Sequence, residues 1–203
     1  MSAARLIYTV GHSSQSIEEF IAQLQGNGIE VVADVRSVPY SRRYPQFSRE
    51  SLQKSLVVAG IRYLSLGREL GARRDEPECY VDGRASYERI EKLPNFVRGI
   101  ETLQDAARKR RIALMCAEVD PLTCHRTILI GRVLARHGVA IKHIGRGGAV
   151  EEHRDAEQRL IAEELGNGDQ GELFGKLGAT DARLQQAYTS RGNRIAYRRG
   201  TSA

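Results

Sequence analysis

Five short runs rich in β-branched and apolar residues punctuate this chain, and the stretches between them carry helical periodicity. The runs are residues 5–10 (RLIYTV), 29–35 (IEVVADV), 61–64 (IRYL), 112–117 (IALMCA) and 139–144 (VAIKHI). Strand-forming segments that alternate with amphipathic helices predict an α/β fold. Its sheet should be mainly parallel, with about five strands and helices on both faces. The 29–35 and 112–117 runs have few polar breaks, as expected of strands covered on both sides.

Helix signals fill the gaps. Ser16 and Glu19 form a capping box ahead of Phe20, Ile21 and Leu24, and Gly26-Asn27-Gly28 stops that helix. Ser48 can cap a helix bearing Leu52 and Leu56, closed by Gly60. Pro94 opens another, with Phe96, Ile100, Leu103 and Ala107 on one side, and a further helix carries Leu129, Ile130, Val133 and Leu134. Residues 65–86, with three glycines and many charges, are long for a connection and predict a lid or substrate loop. After Gly148 the composition shifts to a charged helix over about 152–165, a Gly-rich link, another helix and a basic end. This divides the chain into an α/β core (1–150) and a C-terminal helical extension with a basic tail (151–203).

At 203 residues, 41% hydrophobic and 28% charged, the chain suits one globular domain with an appendage. No apolar run is long enough for a membrane span, so no membrane partner is expected. Three cysteines make no disulfide framework and point to a reducing cytoplasm. A net charge of +6 is consistent either with an anionic partner such as nucleic acid or with simple solubility.

Position narrows the choice. In open α/β sheets, ligands bind beyond the carboxyl ends of the strands. The first strand ends in His12 and Ser13, the second in Asp34 and Arg36, the 112–117 strand in Cys116 and Glu118, and the last in His143 before Gly145-Arg146-Gly147-Gly148. In CAEVDPLTCHR, either Asp120 with Pro121 or Thr123 caps the next helix, which puts Cys124, His125 and Arg126 in its first turns. His125 and Arg126 should share the face turned to the sheet and, with the helix N-terminus, make an anion site. Glu118 is then a general base, or the group that orients His125. The alternative is that Cys116 and Cys124 are small buried hydrophobes and Glu118–Arg126 a structural ion pair.

The loop RSVPYSRRYPQF (36–47) interleaves Arg36, Arg42 and Arg43 with Tyr40 and Tyr44. Arginines clamp phosphates and aromatic rings stack on bases. Arg68, Arg73 and Arg74 would extend this basic rim.

Together, YTVGHS, DVRSVPYSRRYPQF, LMCAEVDPLTCHR and KHIG resemble the signatures of domain-of-unknown-function family 488, over roughly residues 5–165. The resemblance implies a compact α/β fold and marks His12, Asp34, Arg36, Glu118, Cys124, His125 and Arg126 as signature positions. It brings no established reaction and leaves the cofactor unknown.

The chemistry can be narrowed further. A cysteine phosphatase places Arg six residues after its Cys, but those positions hold Leu122 and Ile130. There is no C-x-x-C pair. A Cys124 nucleophile fits a helix start next to His125 and Arg126. Metal binding by Cys116, Cys124, His125 and Glu118 lacks the spacing of a zinc module and ranks lower, so no metal is expected. In the tail, Gln170, Leu173 and Phe174 form a Q-x-x-L-F peptide that resembles sliding-clamp docking motifs, although packing of Leu173 and Phe174 on the chain's own domain is the favoured reading.

The leading expectation is an enzyme acting on a phosphate-bearing substrate, a nucleotide or nucleic acid, by hydrolysis or group transfer. Glu118, His125, Cys124 and Asp34 would be catalytic. Arg36, Arg42, Arg126, His12, Ser13 and Tyr40 would bind substrate. The alternatives are a non-catalytic nucleic-acid adaptor, which the tail peptide would associate with a sliding clamp, and a thiol-dependent redox or transfer protein.

Overall fold

A computed structural model describes residues 5–166 and 177–200. The strands are β1 (Leu6–Gly11), β2 (Val31–Asp34), β3 (Arg62–Ser65), β4 (Tyr80–Val81), β5 (Arg84–Ala85), β6 (Ile112–Cys116), β7 (Ala140–Ile144) and β8 (Val150–Glu152). Six of them form one sheet in the order β3-β2-β6-β1-β7-β8. The first five of that order are parallel, and β8 adds an antiparallel edge. Three residues, two of them glutamates, carry no periodicity by which such an edge could be foreseen.

Around the sheet lie α1 (Ile17–Gly26), α2 (Arg49–Val58), α3 (Gly67–Leu70), α4 (Tyr87–Ile90) and α5 (Pro94–Ala107). After β6, a π-wound segment (Arg126–Gly131) runs into α6 (Arg132–Arg136), and α7 (His153–Leu165) and α8 (Leu177–Ile195) follow. Successive strand residues face opposite layers. Ala113 and Met115 of β6 pack with Phe20, Leu24, Leu52 and Leu56 of α1 and α2. Ile112, Leu114 and Cys116 pack on the other side with Phe96, Ile100, Leu103, Ile130 and Leu134. Leu160, Ala187, Tyr188 and Ala196 join this second layer, so the segment after residue 150 shares the core's own apolar interior.

The Ser16–Glu19 capping box forms as expected, with reciprocal bonds of 3.1 and 2.8 Å. Ser48 behaves differently. Its hydroxyl accepts from the Ser41 N–H at 3.2 Å, bracing the 36–47 loop, and makes no side-chain cap on α2. Residues 65–86 carry secondary structure of their own. They form α3 and a two-stranded hairpin, β4–β5, turned by Asp82 and Gly83 with φ of 49° and 73°. The chain end fastens this hairpin, since Ala85 N–H donates to the Tyr197 carbonyl and Arg199 N–H to the Gly83 carbonyl.

The order of the strands sets the site. β6 lies between β1 and β2, which precede it in the chain, so the carboxyl ends of three neighbouring strands open on one crevice. No helix among the described residues is long and apolar enough to cross a membrane.

Candidate active site at the end of β6

A pocket of about 620 Å³ opens above these strand ends. Cys116, Glu118, Cys124 and His125 line it, with His12, Ser13 and Arg36 from the flanking strands and Arg43, Arg73, Tyr40, Tyr44 and Tyr197 from the surrounding segments. A larger hollow of about 730 Å³, between α1 and the 146–148 turn, has no cysteine or histidine in its lining.

The turn after β6 is built in two steps. Asp120 accepts from Leu122 N–H at 3.0 Å and caps a short 3₁₀ turn, Pro121–Thr123. Cys124 is then extended (φ −131°, ψ 142°), and its carbonyl accepts the first helical bonds from Thr127 and Ile128. The helix therefore starts afresh at Cys124. Its opening turns are π-wound, a geometry that recurs at functional sites.

Three ligand-type atoms converge there. His125 Nδ1 lies 3.7 Å from Cys124 Sγ and 3.8 Å from Cys116 Sγ. Its Nε2–H donates to the Val35 carbonyl at 3.0 Å, which turns Nδ1 toward the sulfurs. Burial raises the Cys124 thiol, but the Cys116 thiol, Arg126 and His125 outweigh it and leave Cys124 well below the ordinary range. Its sulfur also accepts from Arg126 N–H at 3.4 Å. Cys116, hydrogen-bonded to Cys124 and buried, is pushed up. For His125 burial is again the largest influence and lowers it, but the Cys124 thiolate raises it further. Glu118 is exposed overall, yet desolvation of its carboxyl and the neighbouring Cys124 push it upward.

A second cluster stands beside it. Asp34 accepts from Arg36 Nε at 2.9 Å and Nη2 at 2.6 Å, and from the Tyr63 hydroxyl at 2.8 Å. Burial and this carboxylate push the Tyr63 hydroxyl up to about 12. Arg36 Nη1 donates to His12 Nε2 at 3.2 Å, because His12 Nδ1–H is already given to the Ser13 carbonyl. His12 stacks on Phe47 at 4.3 Å, and burial holds it neutral, with its pKa lowered to about 4. Asp34 thus positions Arg36 and does not reach the pocket, whereas Arg36 does.

Residues 16–133 match the family model described as "Domain of unknown function DUF488". The chain belongs to this family. The match runs from α1 to the start of α6 but leaves out YTVGHS and KHIG, so it is shorter than the stretch the motifs suggested. Comparison with curated proteins and with solved structures gives no match.

Several expected site residues of this DUF488 domain lie elsewhere. Arg126 is fully buried and is not in the pocket lining. Its Nη1 and Nη2 donate to the Glu118 and Val119 carbonyls at 2.7 and 2.9 Å, and its Nε to Thr9 at 3.4 Å. It clamps the turn after β6. It also makes no ion pair with Glu118. Arg42 is exposed outside the lining, and Arg43 takes its place. Arg74 is buried in bonds to the Arg68 and Glu69 carbonyls and to Glu76, while Arg73 reaches the rim and lies 4.8 Å over the Tyr197 ring. Ser13 does line the pocket, in a left-handed conformation (φ 44°), and Tyr40 stands 66% exposed at its mouth. Gln170, Leu173 and Phe174 lie outside the described residues. Tyr44, from the same loop as Tyr40, lines the pocket too, while Tyr87 and Tyr197 escaped the candidate set because nothing local to them signals a partner 40 or more residues away.

His143 belongs to a buried row behind the pocket. Thr9 Oγ bonds His143 Nδ1 at 2.8 Å, and His143 Nε2 bonds His153 Nδ1 at 3.0 Å. His153 Nε2 meets the Tyr188 hydroxyl at 3.3 Å, which donates to Glu157 at 2.9 Å. Burial lowers His143 to about 3 and His153 to about 4, so both rings are neutral.

Gly11 explains how β1 and the turn after β6 come so close. A Cβ there would sit 1.7 Å from the Glu118 carbonyl oxygen. Gly11→Ala should displace that carbonyl and lower Tm by about 4–12 °C, from about 2–3 kcal/mol of overpacking. Thermal unfolding followed by circular dichroism tests this, and an unchanged Tm would contradict it.

Proposed function

We propose that this protein is an enzyme acting on a phosphate-bearing substrate, a nucleotide or a nucleic-acid end, by hydrolysis or group transfer. One observation carries the reading: a reactive cluster (Cys124, His125, Glu118) and a basic, aromatic rim share one pocket. Arg36 gives three of its N–H groups to Asp34 and His12 and keeps others for an anion. Arg43 and Arg73 add charge, and Tyr40 and Tyr44 offer faces on which a base can stack. Glu118, with its proton affinity raised, handles the proton of the reacting group.

The test is turnover of a panel of nucleoside phosphates and short oligonucleotides, with products identified by mass spectrometry. Glu118→Gln and His125→Ala should each lower turnover by at least about 100-fold with far-ultraviolet dichroism intact. Arg42→Ala, outside the pocket, should leave it unchanged. Wild-type turnover in both site variants would overturn the assignment. Salt-dependent oligonucleotide binding without turnover, indifferent to Glu118→Gln, would favour an adaptor instead.

A further inference from the structure

We propose that Cys116, Cys124 and His125 hold a zinc ion at the floor of the pocket, with its fourth position open toward Glu118 and the substrate. This rests on the reading that the pocket is where chemistry occurs, and it says what the two sulfurs are for.

The donor atoms are already spaced for a metal. The three lie within 4.8 Å of one another, with Nδ1 at 3.7 and 3.8 Å from the sulfurs. Tetrahedral zinc with Zn–S of about 2.3 Å and Zn–N of about 2.0–2.1 Å sets such edges near 3.6 Å. Small side-chain movements close the site. The imidazole is also oriented as metal-bound imidazoles are, because its remote Nε2–H is fixed by the Val35 carbonyl. Cys116 ends a fully buried strand, and the Cys124 carbonyl receives the first bonds of a helix, so both sulfurs stand on rigid elements.

Chemistry agrees with geometry. Two soft thiolates and an imidazole favour zinc over the hard cations magnesium and calcium. Zn²⁺ balances the charge of two buried thiolates, and whatever protons the donor atoms still hold leave to solvent on binding. Three protein ligands with a free position is the arrangement of a catalytic site, since structural sites close all four. In the resulting step, zinc-bound water gives a proton to Glu118. The hydroxide oxygen bonds to an electrophilic carbon or phosphorus of the substrate. The bond to the leaving group breaks, and that group departs with the proton from Glu118. Water is divided across the broken bond and nothing is oxidised. The C-x₇-C-H spacing is unlike that of common zinc modules, which is why sequence alone ranks a metal low.

The experiment uses the full chain, purified without chelators, assayed for metal, then stripped with dipicolinate and titrated with Co²⁺. The expected result is one equivalent of bound metal, with thiolate-to-cobalt charge-transfer absorption and intense tetrahedral visible bands that Zn²⁺ abolishes. Cys116→Ser and His125→Ala should each weaken zinc binding by at least about 100-fold, while Arg42→Ala should not. Wild-type protein that takes up no metal and shows no charge-transfer band would overturn the proposal without recourse to any variant. If such metal-free protein lost turnover when iodoacetamide alkylated Cys124, zinc would be rejected and the enzyme reading kept, with Cys124 as nucleophile. Stoichiometric zinc without turnover of any phosphate substrate would do the reverse.

Discussion

Arg126→Ala is expected to destabilise the protein by about 3–5 kcal/mol, through the cavity left by a large buried side chain and the loss of its charge-assisted hydrogen bonds. Arg126 heads the fully buried side chains by volume, and its guanidinium holds the carbonyls of residues 118 and 119 together with Thr9. Arg126→Lys should recover little, because an ammonium cannot span two carbonyls as a planar fork does. Urea unfolding measures both. If Arg126 instead bound an anion in the pocket, the alanine variant would keep its stability and lose only ligand affinity. Such an outcome would refute the clamp.

The second large effect is acid sensitivity. His12, His143 and His153 are lowered to about 4, 3 and 4, chiefly by burial. Their folded values lie below the unfolded value near 6.5, so the unfolded chain takes up protons first. The stability is fully present above pH about 6.5 and is lost as pH falls toward the folded values. Between pH 7 and 5 each histidine contributes a loss of about 2 kcal/mol, roughly 6 kcal/mol for the three. His143 and His153 share a hydrogen bond, so they titrate as a pair. Glu118 and Glu157, raised by burial, act in the opposite sense, adding stability as pH falls from their raised values toward the ordinary carboxylate value of 4.5. Denaturant unfolding at several pH values tests the window. A flat profile from pH 7 to 5 would show that these rings are not held neutral.

The parallel core was legible because each β-run alternates between two apolar layers and each helix carries its own start signal. Ser16 and Glu19 acted as read. The hairpin at Asp82-Gly83 is hard to read although that dipeptide is a strong turn signal, because its strands are only two residues long. At the site, chain position located Cys124, His125 and Glu118. It could not assign Arg126, because a helix face says which way a side chain leaves the axis and nothing of which carbonyls await it. Asp34 and His12 were legible as site residues but not as supports for Arg36, since the His12 bond joins separate strands and the Asp34 bonds depend on how the chain turns at the end of β2. Tyr197 reaches the pocket only because the chain end pairs with the hairpin.

The row from Arg126 to Glu157 has one further property. A carboxylate and a guanidinium can each play only one part in a hydrogen bond, and they occupy its two ends. Every hydroxyl and imidazole between them must therefore point the same way, each giving its proton outward. Both rings are pinned as single tautomers, His143 and His153 alike carrying hydrogen on Nε2. Nitrogen-15 spectra should resolve one tautomer per ring at neutral pH. Tyr188→Phe would remove the acceptor for His153 and free both imidazoles to flip, so a residue on the last helix fixes the proton order beside the first strand.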